Sequence, residues 1–130
     1  MNNIRTLFSV LFSLTTSVFL GQTSISVADM LTGTWYLANY FPDTKDSLVY
    51  SRISKVPNNW GDHIEFNSSN SFVDAYSAPC GNDSQIHNDV GTWQLSGHTV
   101  VTSIPISIDL GTKHIILTLT SDKLILVKTN

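Results

Sequence analysis

The sequence predicts one all-β domain, a small antiparallel up-and-down barrel of about eight strands preceded by a short helical turn. Three observations carry that expectation. Segments of five to nine residues with alternating apolar and polar side chains recur from Gly33 to Lys128. Turn-forming clusters of Gly, Pro, Asn, Asp and Ser separate them, as expected where the chain reverses. No long stretch shows the 3.6-residue apolar period of an amphipathic helix. A barrel and a sandwich both satisfy this pattern, but a barrel also removes the sheet edges that invite aggregation.

The elements follow in chain order. Ser26 can cap one helical turn that carries Val27, Met30 and Leu31. Gly33 to Phe41 alternates, with Trp35, Leu37, Asn39 and Phe41 on one face and Tyr36, Ala38 and Tyr40 on the other. Leu48 to Val56 places Leu48, Tyr50, Arg52 and Val56 together, and Pro57-Asn58-Asn59 ends it. His63 to Asn67 is a short strand with Ile64 and Phe66 on one side. A Ser68-Ser69-Asn70 turn leads into the alternating segment Ser71 to Ser77. A polar loop is expected from Ala78 to Asp89. Strands follow over Val90 to Leu95 and His98 to Ile104, joined by Ser96-Gly97. Pro105 to Leu110 reads as an edge strand, because Pro cannot donate to a central ladder. The strongest signal is the terminal hairpin, His114 to Thr120 and Lys123 to Lys128 around Ser121-Asp122.

Residues 1–21 are expected to be a secretory signal, and 22–130 the folded domain. Met1 to Ile4 is short and polar, Arg5 is positive, and Leu7 to Leu20 is apolar with interspersed Ser and Thr. That run is too short and too polar for a stable membrane anchor, which is the rival reading. Cleavage is placed after Gly21, with positions near Thr23 or Ser24 as alternatives. No cysteine directly follows the run, which excludes a lipid-modified N-terminal cysteine.

The whole chain carries a formal net charge of −3, and loss of Arg5 leaves a mildly acidic domain. Lys45, Arg52, Lys55, Lys113, Lys123 and Lys128 are scattered, whereas nucleic-acid binding needs clustered cations to displace counterions. Anionic membranes are disfavoured for the same reason. Cys80 is the only cysteine, so no internal disulfide forms and packing must supply the stability.

Leu31-Thr32-Gly33-Thr34-Trp35, opening the first strand just after a helical turn, resembles the Gly-x-Trp start of lipocalins and their calycin relatives. Ile64-Glu65-Phe66 with the following turn and Ser71-Phe72 resembles the next stretch of small bacterial lipocalin-like domains. Gly91-Thr92-Trp93-Gln94-Leu95 and Leu117-Thr118-Leu119-Thr120-Ser121-Asp122-Lys123-Leu124 do so as well. The resemblance covers most of Leu31 to Lys128. It implies a structural role for Gly33 and Trp35 at the base of the barrel, and a comparable one for Gly91 and Trp93. The chain is shorter than a typical lipocalin and lacks the usual disulfide, so a shallow cup and a filled barrel are both compatible with it.

No motif marks the chain as an enzyme or implies a cofactor. The phosphate loop, the His-Glu-x-x-His helix, the Gly-x-Ser-x-Gly elbow and the dinucleotide glycine pattern are all absent. Cys80, Asp83 and His87 lie close in sequence, but a metal needs further ligands, and a Cys80–His87 thiolate pair lacks an orienting group. A solvated loop explains them. Asp62 and Glu65 point to opposite faces of a strand. His63, His98 and His114 are at strand starts, where solvent-facing residues are usual. Asn67-Ser68-Ser69 and Asn82-Asp83-Ser84 match the N-glycosylation pattern, which matters only in a eukaryotic host.

The remaining candidates are aromatic: Tyr40, Tyr50, Trp60 and Tyr76 combine an apolar ring with a polar atom, which suits both pockets and interfaces. Asn39, Phe41, Tyr50, Arg52 and Tyr76 are the expected pocket lining, from their facing and from the resemblance. The expected function is an exported binding module for a small apolar ligand, with fatty-acid-like molecules competing against an apolar dye. The alternative is a protein-interaction or inhibitor domain that uses the barrel rim and has no cavity. Cavity volume separates the two.

Overall fold

The computed structural model describes residues 24–38, 47–54, 62–77, 86–106 and 111–129. It begins with a single helical turn, α1 (Val27–Leu31), which the side chains at its start hold in place. The Ser26 hydroxyl accepts from the Asp29 backbone N–H at 3.1 Å, and the Asp29 carboxylate reaches back toward the Ser26 backbone N–H. This reciprocal box satisfies donors that the first turn leaves unpaired. It also aims Leu31 inward, where it is fully buried.

Eight strands follow: β1 (Gly33–Leu37), β2 (Ser47–Ser51), β3 (His63–Phe66), β4 (Ser71–Ser77), β5 (Ile86–Ser96), β6 (Thr99–Thr102), β7 (Lys113–Leu119) and β8 (Lys123–Lys128). All pairings are antiparallel, and the sheet closes into a barrel in the order β1-β2-β8-β7-β6-β5-β4-β3. From β3 to β8 each strand pairs with its successor in the chain. The remaining seam is closed by β2, which lies between β1 and β8, so that β1 pairs with both β2 and β3. No open edge is left among these strands, and every ladder finds backbone partners without help from a disulfide.

Alternation along the strands fills the interior. Trp35, Leu48, Tyr50, Ile64, Phe66, Phe72, Trp93, Val100, Ile116, Leu124 and Leu126 form the core, with Leu31 and Ile106 contributed from outside the strands. A bulge between Ile116 and Thr118 interrupts the β7–β8 register. It places the exposed Leu117 as an extra residue on the outer wall and lets both Ile116 and Leu119 pack inward.

Four sequence-based expectations need correction. The strand after Leu48 ends at Ser51, so Arg52 does not continue the Leu48–Tyr50 face. The polar loop expected up to Asp89 gives way at Ile86 to an eleven-residue strand, because β4 is long enough to offer a partner to every residue from Ile86 to Thr92. Asn88 and Asp89 have poor strand propensity, and the ladder overrides it. Pro105 and Ile106 are not in a strand; Ile106 is instead fully buried and donates its N–H to the Gly111 carbonyl. Finally, His98 is exposed, but His63 is half-buried and His114 fully buried, since a strand start in a closed barrel can still face the core.

Candidate functional site

The interior divides into a closed base and an open mouth. At the base, Trp35 is fully buried and its indole N–H donates to the Leu31 carbonyl at 2.7 Å. Trp93 donates to the Asn67 carbonyl at 2.9 Å. Phe66 stacks edge-on against Trp93 and tilts against Phe72, with centroids 5.3 and 5.2 Å apart. Both indoles thus bury large rings while satisfying their single donor.

Arg52 seals this end. Its guanidinium lies 3.6 Å over the Trp35 ring and donates to the carbonyls of Met30 at 2.6 Å, Thr32 at 2.8 Å and Thr34 at 3.2 Å. Burial lowers its pKa from the ordinary value, and the three carbonyls with the π-face replace the lost water. Gly33 makes the approach feasible. Its φ of +112° is unsuited to an L side chain, and a Cβ there would lie 2.5 Å from the Arg52 Nη1. At Gly91 the constraint is purely spatial, because a Cβ would meet the Ser103 Oγ at 2.5 Å. That approach lets Ser103 bond to Thr92 in both directions where β6 has ended.

At the Leu37 end of β1 the barrel opens into a cavity of about 360 Å³. Leu37, Leu48, Ile64 and Pro105 supply apolar wall, Tyr50 and Tyr76 supply aromatic wall, and Asp62, Asp74, Asp89 and His63 supply polar groups. Asp62 is positioned by its backbone carbonyl, which accepts from the Leu37 N–H at 2.8 Å. Asp74 and Asp89 stand directly opposite each other across β4 and β5, one pair along from Phe72 and Gly91 on the same face. Tyr76 stacks on its cross-strand partner His87, with centroids 5.1 Å apart and ring planes 19° from parallel. Tyr50 is only 3% exposed. Burial first, and then the negative fields of Asp74 and Asp62, push its phenol well above the usual range.

Of the five side chains expected to line a pocket, Tyr50 and Tyr76 do so. Arg52 does not: the strand ends before it, and the free carbonyls around α1 attract its guanidinium to the base. Asn39 and Phe41 lie outside the described residues, as do Cys80 and Asp83. The carboxylates are what sequence reasoning missed. Asp74 was detectable as a charge on the same alternating face as Phe72. Asp62 and Asp89 gave no comparable signal, since Asp89 fell in an expected loop. Among the described residues, no group of three or more His, Cys, Asp or Glu side chains is placed to hold a metal ion.

A short helical turn feeding a Gly-x-Trp strand, with an arginine over that Trp and eight antiparallel strands closing around it, is matched at the level of sequence. The model of the lipocalin-like domain family matches residues 31–126. This chain belongs to that family. The match runs from Leu31 of α1 to Leu126 of β8 and so covers β1 to β7 in full and most of β8. No match is found among curated proteins or among solved structures. As a lipocalin-like barrel, the domain has the architecture of a binding module.

Proposed function

We propose that this lipocalin-like domain is an exported binding module for a small, largely apolar ligand held in the mouth cavity. The observation that supports this reading is the cavity itself. About 360 Å³ is open beside Leu37, Leu48, Ile64 and Tyr50 while the other end of the same barrel is packed shut. Small-molecule sites typically combine that order of volume with apolar walls and a few convergent polar groups. A barrel acting only through its rim has no need of such a space.

Titration of the folded protein with Nile red, a neutral environment-sensitive dye, tests the reading. Saturable binding in the micromolar range is expected. Tyr76→Ala, at the exposed mouth, should weaken it several-fold while leaving the melting temperature unchanged. Absence of saturable binding by folded protein would sink the ligand reading. Export is supported by Arg5 and the apolar run from Leu7 to Leu20. Intact-mass analysis of protein secreted by an expressing bacterium should give a chain starting at or just after Gln22, whereas full-length chain retained in membranes would overturn it.

A further inference from the structure

Closure of the barrel gives every strand two neighbours, but the neighbours of β5 do not cover it equally. On one side β4 accompanies it from Ile86 to Thr92, whereas on the other β6 accompanies it only from Trp93 to Ser96. The last link on the β6 side is at Thr92, whose carbonyl accepts from the Ser103 N–H and whose own N–H donates to the Ser103 hydroxyl. From there the chain turns inward: Pro105 lines the cavity and Ile106 is fully buried. Among the described residues, no strand pairs with that side of Ile86 to Val90. Alternation fixes which backbone groups look toward it. Thr92 faces β6 and the Trp93 N–H bonds to Asn70 on the β4 side, so Ile86, Asn88 and Val90 turn their N–H and C=O groups to the uncovered side. Their side chains are on the outer wall, where Ile86 is 47% exposed, Val90 67% exposed, and Asn88 exposed as well.

We propose that this edge pairs with the same edge of a second copy of the chain, antiparallel about a twofold axis at Asn88. The sequence Ile86-His87-Asn88-Asp89-Val90 is complementary to itself in that register. Asn88 meets its own counterpart in a doubly hydrogen-bonded pair, and Ile86 meets Val90 of the second copy in a pair of the same type. On the outer wall the two exposed aliphatic side chains then cover each other. On the inner face His87 comes opposite Asp89 of the second copy, a basic side chain against an acidic one. Moving the axis to Asp89 or to His87 would set like side chains against each other and place Asn88 opposite an aliphatic one. The edge also carries neither lysine nor proline, which commonly guard free edges against pairing.

Sedimentation equilibrium of the purified folded protein tests this, and a reversible monomer–dimer equilibrium in the micromolar range is expected. Asn88→Pro is the selective variant. The N–H it removes makes no bond inside the barrel, and proline is tolerated where the N–H side of an edge is free. Association should weaken at least about tenfold, since both bonds across the axis are lost, while near-ultraviolet circular dichroism stays unchanged. Cross-linking gives a second measurement that does not depend on how the proline variant folds. In a Cys80→Ser background, Asn88→Cys should oxidise to a covalent dimer, because such pairs hold Cα atoms about 5.5 Å apart, within disulfide reach. Gln94→Cys, also exposed but on the part of β5 that β6 covers, should stay monomeric. A protein that is monomeric at every concentration, or Asn88→Cys that cross-links no more than Gln94→Cys, overturns the proposal and leaves the edge to an extended segment of another protein. Dimers that persist unchanged in Asn88→Pro overturn it too, because they form through another surface.

Discussion

The two ends of the barrel are built from the same strands and do opposite things. At the base, β4 and β5 contribute Phe72 and Trp93, which pack with Phe66, Trp35 and Leu31 until nothing polar is left unsatisfied in the indoles. Further along the same face, one inward position past Phe72 and two past Trp93, β4 and β5 contribute Asp74 and Asp89, and the packing stops. The difference is side-chain chemistry at equivalent positions of one continuous ladder. Charged groups are costly to bury fully, and the face that is aromatic at the base carries carboxylates where the cavity opens. The fully buried rings of Trp35, Phe66 and Phe72 are all at the base.

Truncating the base should give the largest effect. Trp35→Ala removes a fully buried ring, the Arg52 platform and the bond to Leu31 together, and should cost about 3–5 kcal/mol in urea unfolding. Trp93→Ala belongs to the same range. A midpoint that barely moves would show that the base does not carry the stability of the barrel.

Arg52→Ala should follow, at about 2–3 kcal/mol, because three carbonyls lose a charged donor. Arg52→Lys should recover only part of this, since an ammonium cannot reproduce the planar fork or its stacking. Neither change should alter Nile red affinity in the folded protein. A selective loss of dye binding by Arg52→Lys would blur the separation between base and mouth.

Gly91→Ala should destabilise by about 1–3 kcal/mol, as its methyl group collides with Ser103 and Ile104. Combining it with Ser103→Gly should recover part of the loss, and a double-mutant cycle measures that coupling. Strict additivity would indicate that the strand yields elsewhere.

The mouth is expected to respond to alkali. The Tyr50 phenol has its pKa raised in the folded state by burial and by the fields of Asp74 and Asp62. Its contribution is therefore fully present below the unfolded tyrosine value of about 10 and is lost as pH rises from there through the folded-state value. Urea midpoints should fall with increasing pH across that window, and Tyr50→Phe should flatten the decline. An unchanged slope in the phenylalanine variant would place the alkaline sensitivity at another group.

The smallest effect is expected for Asp89→Asn without ligand. It should leave stability unchanged or raise it by about 0.2–1 kcal/mol, through relief of the repulsion with Asp74. A clear loss of stability would mean that Asp89 supports the fold, so that the mouth is not energetically separate from the base.

The sequence by itself determined the local features of this protein. The Ser26–Asp29 box, the period-two faces of β1, β3 and β4, and the terminal hairpin all follow from residues a few positions apart, whose propensities act without knowledge of the rest of the chain. The two tryptophans that each follow a glycine by two residues were legible for the same reason, as were Tyr50 and Tyr76 as amphipathic rings near an opening. Tertiary structure alone decided where Arg52 goes, because its acceptors are 18 to 22 residues earlier in the chain and become neighbours only when β1 and β2 pair. It also decided that Ile86 to Asp89 is strand, and that Asp62, Asp74 and Asp89 share one cavity. Those outcomes depend on the register between strands distant in sequence, and register is set by the closing of the whole barrel around its core.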